Sequence, residues 1–283
     1  MSPLRSRFCE YMILRGFSPR TQESYLHAMI ELSRYYRRSP DQLSNEDIQS
    51  FLIHIISVRG LAWSTINVYF SAYRCFYEKV LLWDRTAFNI PPRGRSHHRP
   101  FVLSRQAVTQ ILQAPCNLKH RALLAMVYGS GLRVSEVCRL RPHHIESAPD
   151  RMMVRVEEGK GHKDRYTILS QAALDILRNY WRAYRPGPWL FFGRDKLKPM
   201  DSGCALHIYN QACSRAGVTE AHGIHSLRHA FATHLMENGV PLFTIKRWMG
   251  HSALTTTAGY CHVTSEHLRS VVSPLDSLFK SRS

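Results

Sequence analysis

The sequence predicts a mainly α protein of two domains: a helical bundle, then a mixed, mostly helical domain with one small β-sheet. Three observations carry that expectation. Capping signals and apolar residues at helical spacing recur through residues 1–84 with no alternating strand pattern among them. A stretch rich in Pro and Arg, without periodicity, interrupts them at residues 85–103. Beyond it, helical patterns resume around a single alternating segment folded on a tight turn. With 283 residues the chain is long enough to bury two separate cores.

The elements follow in order. "SPRTQESYLHAMIELSRYYRR" opens with Ser18 as an N-cap and Pro19 at the first helical position, and Tyr25, Met29, Leu32 and Tyr36 then recur on one face. "SNEDIQSFLIHIISVRG" has Ser44 followed three positions later by Asp47, a capping-box pattern, and stops at Gly60. "STINVYFSAYRCFYEKVLLW" is expected to start at Ser64 and is rich in aromatics. "RTAFNIPPRGRSHHRPFVL", residues 85–103, is a linker by composition, with three prolines, four arginines and two histidines. From Ser104 onward, "SRQAVTQILQA", "NLKHRALLAMVYGSG", "SQAALDILRNYWRAY", "IHSLRHAFATHLMENG" and "PLFTIKRWMG" predict helices. "RMMVRVEEGKGHKDRYTIL" predicts two short strands around an "EGKGHKD" turn. The expected domains are therefore 1–84, a linker over 85–103, and 104–283.

Charge defines the partner. A net charge of +17 and a pI near 9.9 call for a polyanion, and both the first hundred residues and the remainder are net basic. Arg outnumbers Lys, which favours bidentate contact with phosphate. The basic linker suits a strap that tracks a phosphate backbone. Apolar runs such as "FLIHII" and "LLAMVY" are far too short to span a bilayer, and charges interrupt the N-terminal segment where an export signal would be apolar. The expectation is a cytoplasmic protein with no membrane partner. Seven scattered cysteines, none spaced C-x-x-C, argue for packed, reduced thiols over a disulfide framework or zinc ribbon.

The polar candidates of the second domain are Arg133, Lys160, His225, Arg228, His251 and Tyr260. Two arginines, a lysine and two histidines suit a phosphodiester: guanidinium forks bind non-bridging oxygens, and histidine shuttles protons near neutrality. Tyr260 is the candidate nucleophile, and with an unperturbed pKa of about 10 its phenol needs a base or a cationic pocket to react. "GKG" lacks the upstream glycine and following Ser/Thr of a nucleotide-binding loop. No paired carboxylates stand at a metal-clamping spacing among these motifs, and His225 with His229 lacks the glutamate of a zinc-protease helix, so neither cofactor nor metal is expected.

The arrangement resembles the tyrosine recombinases, also called the phage-integrase family. "GSGLRVSEVCRL" looks like their first arginine motif, "VRVEEGKGHKDRYTIL" like their lysine-bearing hairpin, and "HSLRHAFATHL" like their His-x-x-Arg box. "MGHSALTTTAGYCHV" resembles their second histidine and nucleophilic tyrosine, with 23 residues from Arg228 to His251 and 9 more to Tyr260. Residues 1–84, typified by "RGFSPRTQESYLHAM", look like the family's core-binding domain, and the chain looks closest to the simple Xer-like members.

The resemblance implies a C-shaped clamp on double-stranded DNA and cleavage through a 3′-phosphotyrosyl link to Tyr260. It further implies that Arg133 and Arg228 hold the phosphate, His251 donates to a non-bridging oxygen, and Lys160 protonates the departing 5′-oxygen. Lys163 is the rival in the same turn. His225 would assist proton transfer at the tyrosine, and Glu136 would orient Arg133. Strand exchange implies a homotetramer on DNA, or a heterotetramer with a second recombinase, docked through the C-terminal segment. Two other readings share these residues: a type IB topoisomerase-like relaxing enzyme, and a non-catalytic DNA-binding protein of the same fold.

Overall fold

The computed structural model describes residues 2–84, 86–90, 102–157, 164–219 and 223–250. Packing divides the chain into two units, Met1–His97 and His98–Ser283.

In the first unit, helices α1 (Pro3–Leu14), α2 (Pro19–Tyr36), α3 (Asn45–Ser57) and α4 (Trp63–Lys79) form a bundle, with a short 3-10 turn at Pro40–Gln42. The Ser18 hydroxyl accepts from Thr21 N with Pro19 behind it. At α3 the box is complete, because Ser44 Oγ accepts from Asp47 N and Asp47 Oδ2 accepts from Ser44 N. The start expected at Ser64 falls one residue earlier: Ala62 is the N-cap of α4 and no side chain caps it.

Apolar residues at helical spacing turn inward from every helix: Phe8 and Met12, Met29 and Leu32, Ile48 and Phe51, Ile66 and Tyr73. Two buried phenols are satisfied by backbone, Tyr73 on Ala28 O and Tyr77 on Pro40 O, so the tyrosines of α4 tie α2 and the 3-10 turn to one another. The first part of the Pro/Arg-rich stretch belongs to this packing. Phe88 and Ile90 enter the same core, while Ala87 N and Asn89 N donate to Asn45 Oδ1 and Gln49 Oε1.

The second unit is built around α6 (Leu118–Gly129), whose residues Ala122 to Val127 are all buried. A helix apolar on all sides must be enclosed on all sides. Around it pack α5 (Arg105–Gln113), α7 (Val134–Cys138), α8 (Gln171–Tyr184), α9 (Ser202–Ala216) and α10 (His225–Glu237). α11 (Leu242–Met249) lies against α10 and the sheet. The sheet is antiparallel, in the order β1 (Ile145–Glu146), β2 (Met153–Val156), β3 (Arg165–Ile168), with Val154 opposite Thr167 and Val156 opposite Arg165. The two-strand hairpin of the sequence thus gains a third, two-residue strand. Val154, Val156 and Thr167 face the core, which puts Arg165 on the inward side of β3.

Ser44→Ala removes the hydroxyl half of the α3 capping box and is expected to destabilise the first unit by about 1 kcal/mol. Faster hydrogen exchange at the first turn of α3, with the second unit unchanged, is the measurement.

Candidate active site

The site begins where α6 ends. Gly131 follows the helix at φ +60°, a left-handed conformation that favours glycine, and the Phe231 ring occupies the space a side chain would need. Two residues later Arg133 is the N-cap of α7, and Glu136 sits in its first turn. Glu136 Oε2 accepts from Arg133 N at 2.8 Å, and Oε1 accepts from Arg133 Nη1 at 2.7 Å. A short helix therefore folds its own arginine against its own carboxylate.

The same carboxylate holds two further arginines. Arg165 of β3 meets it with a planar fork, Nη1 on Oε1 and Nη2 on Oε2, both at 2.8 Å. Arg228 of α10 places Nη1 at 3.8 Å from Oε2. Side-chain exposure is 8% for Glu136, 9% for Arg165 and 5% for Arg228, against 21% for Arg133. Three cations thus surround one buried anion, with Arg133 the most open of them.

All three guanidiniums also bind one end of α11. Arg165 Nε donates to Trp248 O at 2.8 Å, Arg228 Nη2 to Met249 O at 2.5 Å, and Arg133 Nη2 to Gly250 O at 2.9 Å. Arg228 Nη1 also donates to Gly131 O. The last carbonyls of a helix lack partners inside it and carry its negative dipole end, so cations are their natural caps. Gly250 has φ +62°, and a Cβ there would come 2.8 Å from Arg165 Cδ. The close approach of β3 to this terminus leaves no room for a side chain.

These contacts set the charge states. Burial acts most strongly on Glu136 and would raise its pKa, but hydrogen bonds and charge from Arg165, then Arg133, outweigh it and hold the carboxyl at about 2. His225 opens α10 one turn before Arg228 and is exposed at the surface. Its pKa is pushed below the usual value by partial desolvation first, then by the positive charges of Arg228 and Arg133, with Glu136 opposing. The ring is therefore neutral at pH 7 and able to take up a proton. His229 shifts the same way, through burial and then the neighbouring His225 and Arg228.

Of the residues named from sequence, Arg133, Glu136 and Arg228 meet in one cluster, and His225 lies within its field. Lys160, its rival Lys163, His251 and Tyr260 lie outside the described residues. Arg165 was not foreseen. Its one sequence signal is a cationic residue two positions from Thr167 on the inward side of a short strand.

Among the described residues, His143, His144 and Glu157 bring ligand-type atoms within 4.8 Å of one another. His144 Nδ1 accepts from Arg141 N at 3.1 Å, so the neutral ring carries its proton on Nε2. That nitrogen lies 3.2 Å from Glu157 Oε2 without the alignment of a hydrogen bond, and it has no lone pair to offer a cation. The trio is packing at the foot of β2.

Comparison with known proteins identifies the family. Residues 102–267 match the model of the phage integrase family, and residues 4–85 match that of the phage integrase N-terminal SAM-like domain. The chain belongs to the phage integrase family and is a tyrosine-type site-specific recombinase of Xer-like kind. A putative integrase/recombinase, y4qK, of Sinorhizobium fredii is 38% identical over 283 residues, spanning 98% of this chain and 90% of that protein. Tyrosine recombinase XerA of Thermococcus kodakarensis is 31% identical over 267 residues, spanning 93% and 91%. Among solved structures, the Tn1549 transposon integrase in complex with a circular intermediate DNA shares the fold at a TM-score of 0.74 and 16% identity, covering 97% of this chain and 99% of that one. XerH bound to its difH substrate shares it at 0.72 and 18%, covering 90% and 80%.

Glu136→Gln is expected to destabilise the second unit at pH 7 by on the order of 3 kcal/mol. The folded pKa lies below the unfolded one, so this contribution is complete above the ordinary value of 4.5 and is lost as pH falls through about 2. Unfolding of wild type and variant across pH 2 to 7 should therefore show a gap that closes at the acid end.

Proposed function

We propose that this recombinase cuts and rejoins double-stranded DNA through a covalent bond between Tyr260 and a 3′-phosphate. The observation that carries the reading is the cluster of Arg133 and Arg228 around Glu136, preformed and poor in mobile charge. Three guanidiniums and one carboxylate leave a local excess of about two positive charges, which suits a phosphodiester gaining negative charge as it becomes five-coordinate.

In this reading the Tyr260 oxygen attacks phosphorus, the bond to the 5′-oxygen breaks, and the phenol proton leaves through His225, which is neutral and ready to accept it. Lys160 gives the departing 5′-oxygen its proton. Arg133 and Arg228 hold non-bridging oxygens, His251 donates to one of them, and Glu136 keeps Arg133 in place. The phosphotyrosyl bond conserves the energy of the phosphodiester, so the 5′-hydroxyl of a second strand reverses the attack with no nucleotide cofactor.

The excess of positive charge in each unit supports contact of both with the duplex, and the basic stretch after Ile90 adds to that charge. Exchange of two pairs of strands calls for four protomers, of this chain alone or with a second recombinase, and "TSEHLRSVVSPLDSLFK" offers Leu268, Val271, Val272, Leu275 and Leu278 for docking between them. Among the described residues no helix is long and apolar enough to cross a membrane, and we place the activity in the cytoplasm.

The decisive experiment is covalent capture. Protein is mixed with nicked DNA fragments, denatured in detergent, and the attached DNA is sequenced. Wild type should yield adducts at a defined sequence and Tyr260→Phe none, while its DNA affinity stays within a few-fold; a cleaving Tyr260→Phe would overturn the assignment. Lys160→Ala should lose cleavage on ordinary DNA and recover it on a substrate whose 5′-leaving atom is sulfur, which departs without a proton. Absence of recovery would transfer the acid's role to Lys163 or another group.

A further inference from the structure

We propose that Arg165 is a positioning residue for strand cleavage, locking together β3, which begins five residues after Lys160, the Arg133–Glu136 pair, and the end of α11, which precedes His251 in the chain. The inference deepens the proposed function and rests on that reading of the site.

Three features of the geometry carry it. Both terminal nitrogens of Arg165 are spent on the two oxygens of Glu136, and Nε is spent on Trp248 O, so a single planar group fixes two other elements at once. The side chain is enclosed, and it runs through the space a Cβ on the left-handed Gly250 would need, so the helix end is shaped to admit it. Position along the chain supplies the third. Arg165 is five residues after Lys160 and begins β3, while Trp248, its backbone partner, is three residues before His251. A displacement of this one side chain therefore moves a carboxylate that holds Arg133 and releases the carbonyl row that Arg133 and Arg228 share.

Lysine cannot replace it. An ammonium is a compact charge without a planar fork, and it cannot present two parallel N–H groups to one carboxylate and a third to a carbonyl on the opposite edge. Arg165→Lys keeps the charge and discards the geometry; Arg165→Gln discards both.

The test is single-turnover cleavage of a nicked duplex carrying the sequence recovered by covalent capture, with the rate constant and the final amplitude read separately. A residue that only stabilises the fold changes the amplitude, because fewer molecules are active, and leaves the rate constant of the folded ones intact. We expect Arg165→Lys and Arg165→Gln to bind the duplex within about threefold of wild type and to cleave with rate constants lower by about 10- to 100-fold, the range for outer partners that orient reacting groups. Wild-type rate constants in Arg165→Lys would overturn the proposal whatever the amplitude, and that variant decides the matter if Arg165→Gln does not fold. If wild type itself forms no Tyr260 adduct, the reading of the site fails and this proposal fails with it, a result distinct from an active wild type and unimpaired variants.

Discussion

Among the described residues of the second unit, the charge cluster is shaped by the repulsion among three buried or half-buried guanidiniums. Like charges about 4 Å apart at an effective dielectric near 20 repel by about 4 kcal/mol per pair. Arg133, Arg165 and Arg228 converge because Glu136 stands among them and four backbone carbonyls accept from them as well. The carboxylate in turn stays ionised despite burial because cations surround it. Neither half of this arrangement is stable alone. Removing one member of such a network leaves a buried charge without its partner, which costs more than the intact pair contributes.

The fold supplies what the network needs from places far apart in sequence. α6 is buried along Ala122 to Val127, so its end and the turn at Gly131 are fixed points from which Arg133 and Glu136 project. β3 is held in register by β2, which presents Arg165 from the opposite side. α10 carries Arg228 on a buried face beside Leu227 and Phe231. α11 then ends against all three, and its terminal carbonyls, which any helix leaves unpaired, become the acceptors the cations require. A helix end and a cation cluster, each with unmet polar groups, satisfy one another.

This explains which features were legible beforehand. The Ser18 and Ser44 caps are local, each a matter of three residues, and they appear where the sequence puts them. Ser64 carries the same type of residue but lies inside the first turn, because Trp63 already begins the helix and no hydroxyl caps it. α9 hides its period: three of the five residues in its buried stripe of Ala205, Ile208, Tyr209, Ala212 and Cys213 are small, so hydropathy alone marks it weakly. A strand of two residues, such as β1, is too short to show alternation at all. Arg133, Glu136, His225 and Arg228 stand out through their motifs. Arg165 does not, since its partners lie 29 and 83 residues away and only the folded register brings them to it.

The chemistry of the network also separates structure from reactivity. Glu136 stays ionised down to about 2 and a guanidinium keeps its charge in proteins, so the cluster holds a constant charge across any pH at which the protein works. His225 is different. Partial desolvation lowers its proton affinity first, and the positive charges of Arg228 and Arg133 lower it further, with Glu136 opposing. Desolvation and positive neighbours together make it a weaker base than free imidazole. The cluster thus has two properties: it keeps a fixed net positive charge, and its arginines oppose protonation of the histidine beside it. Both follow from one carboxylate having been buried where three cations can reach it.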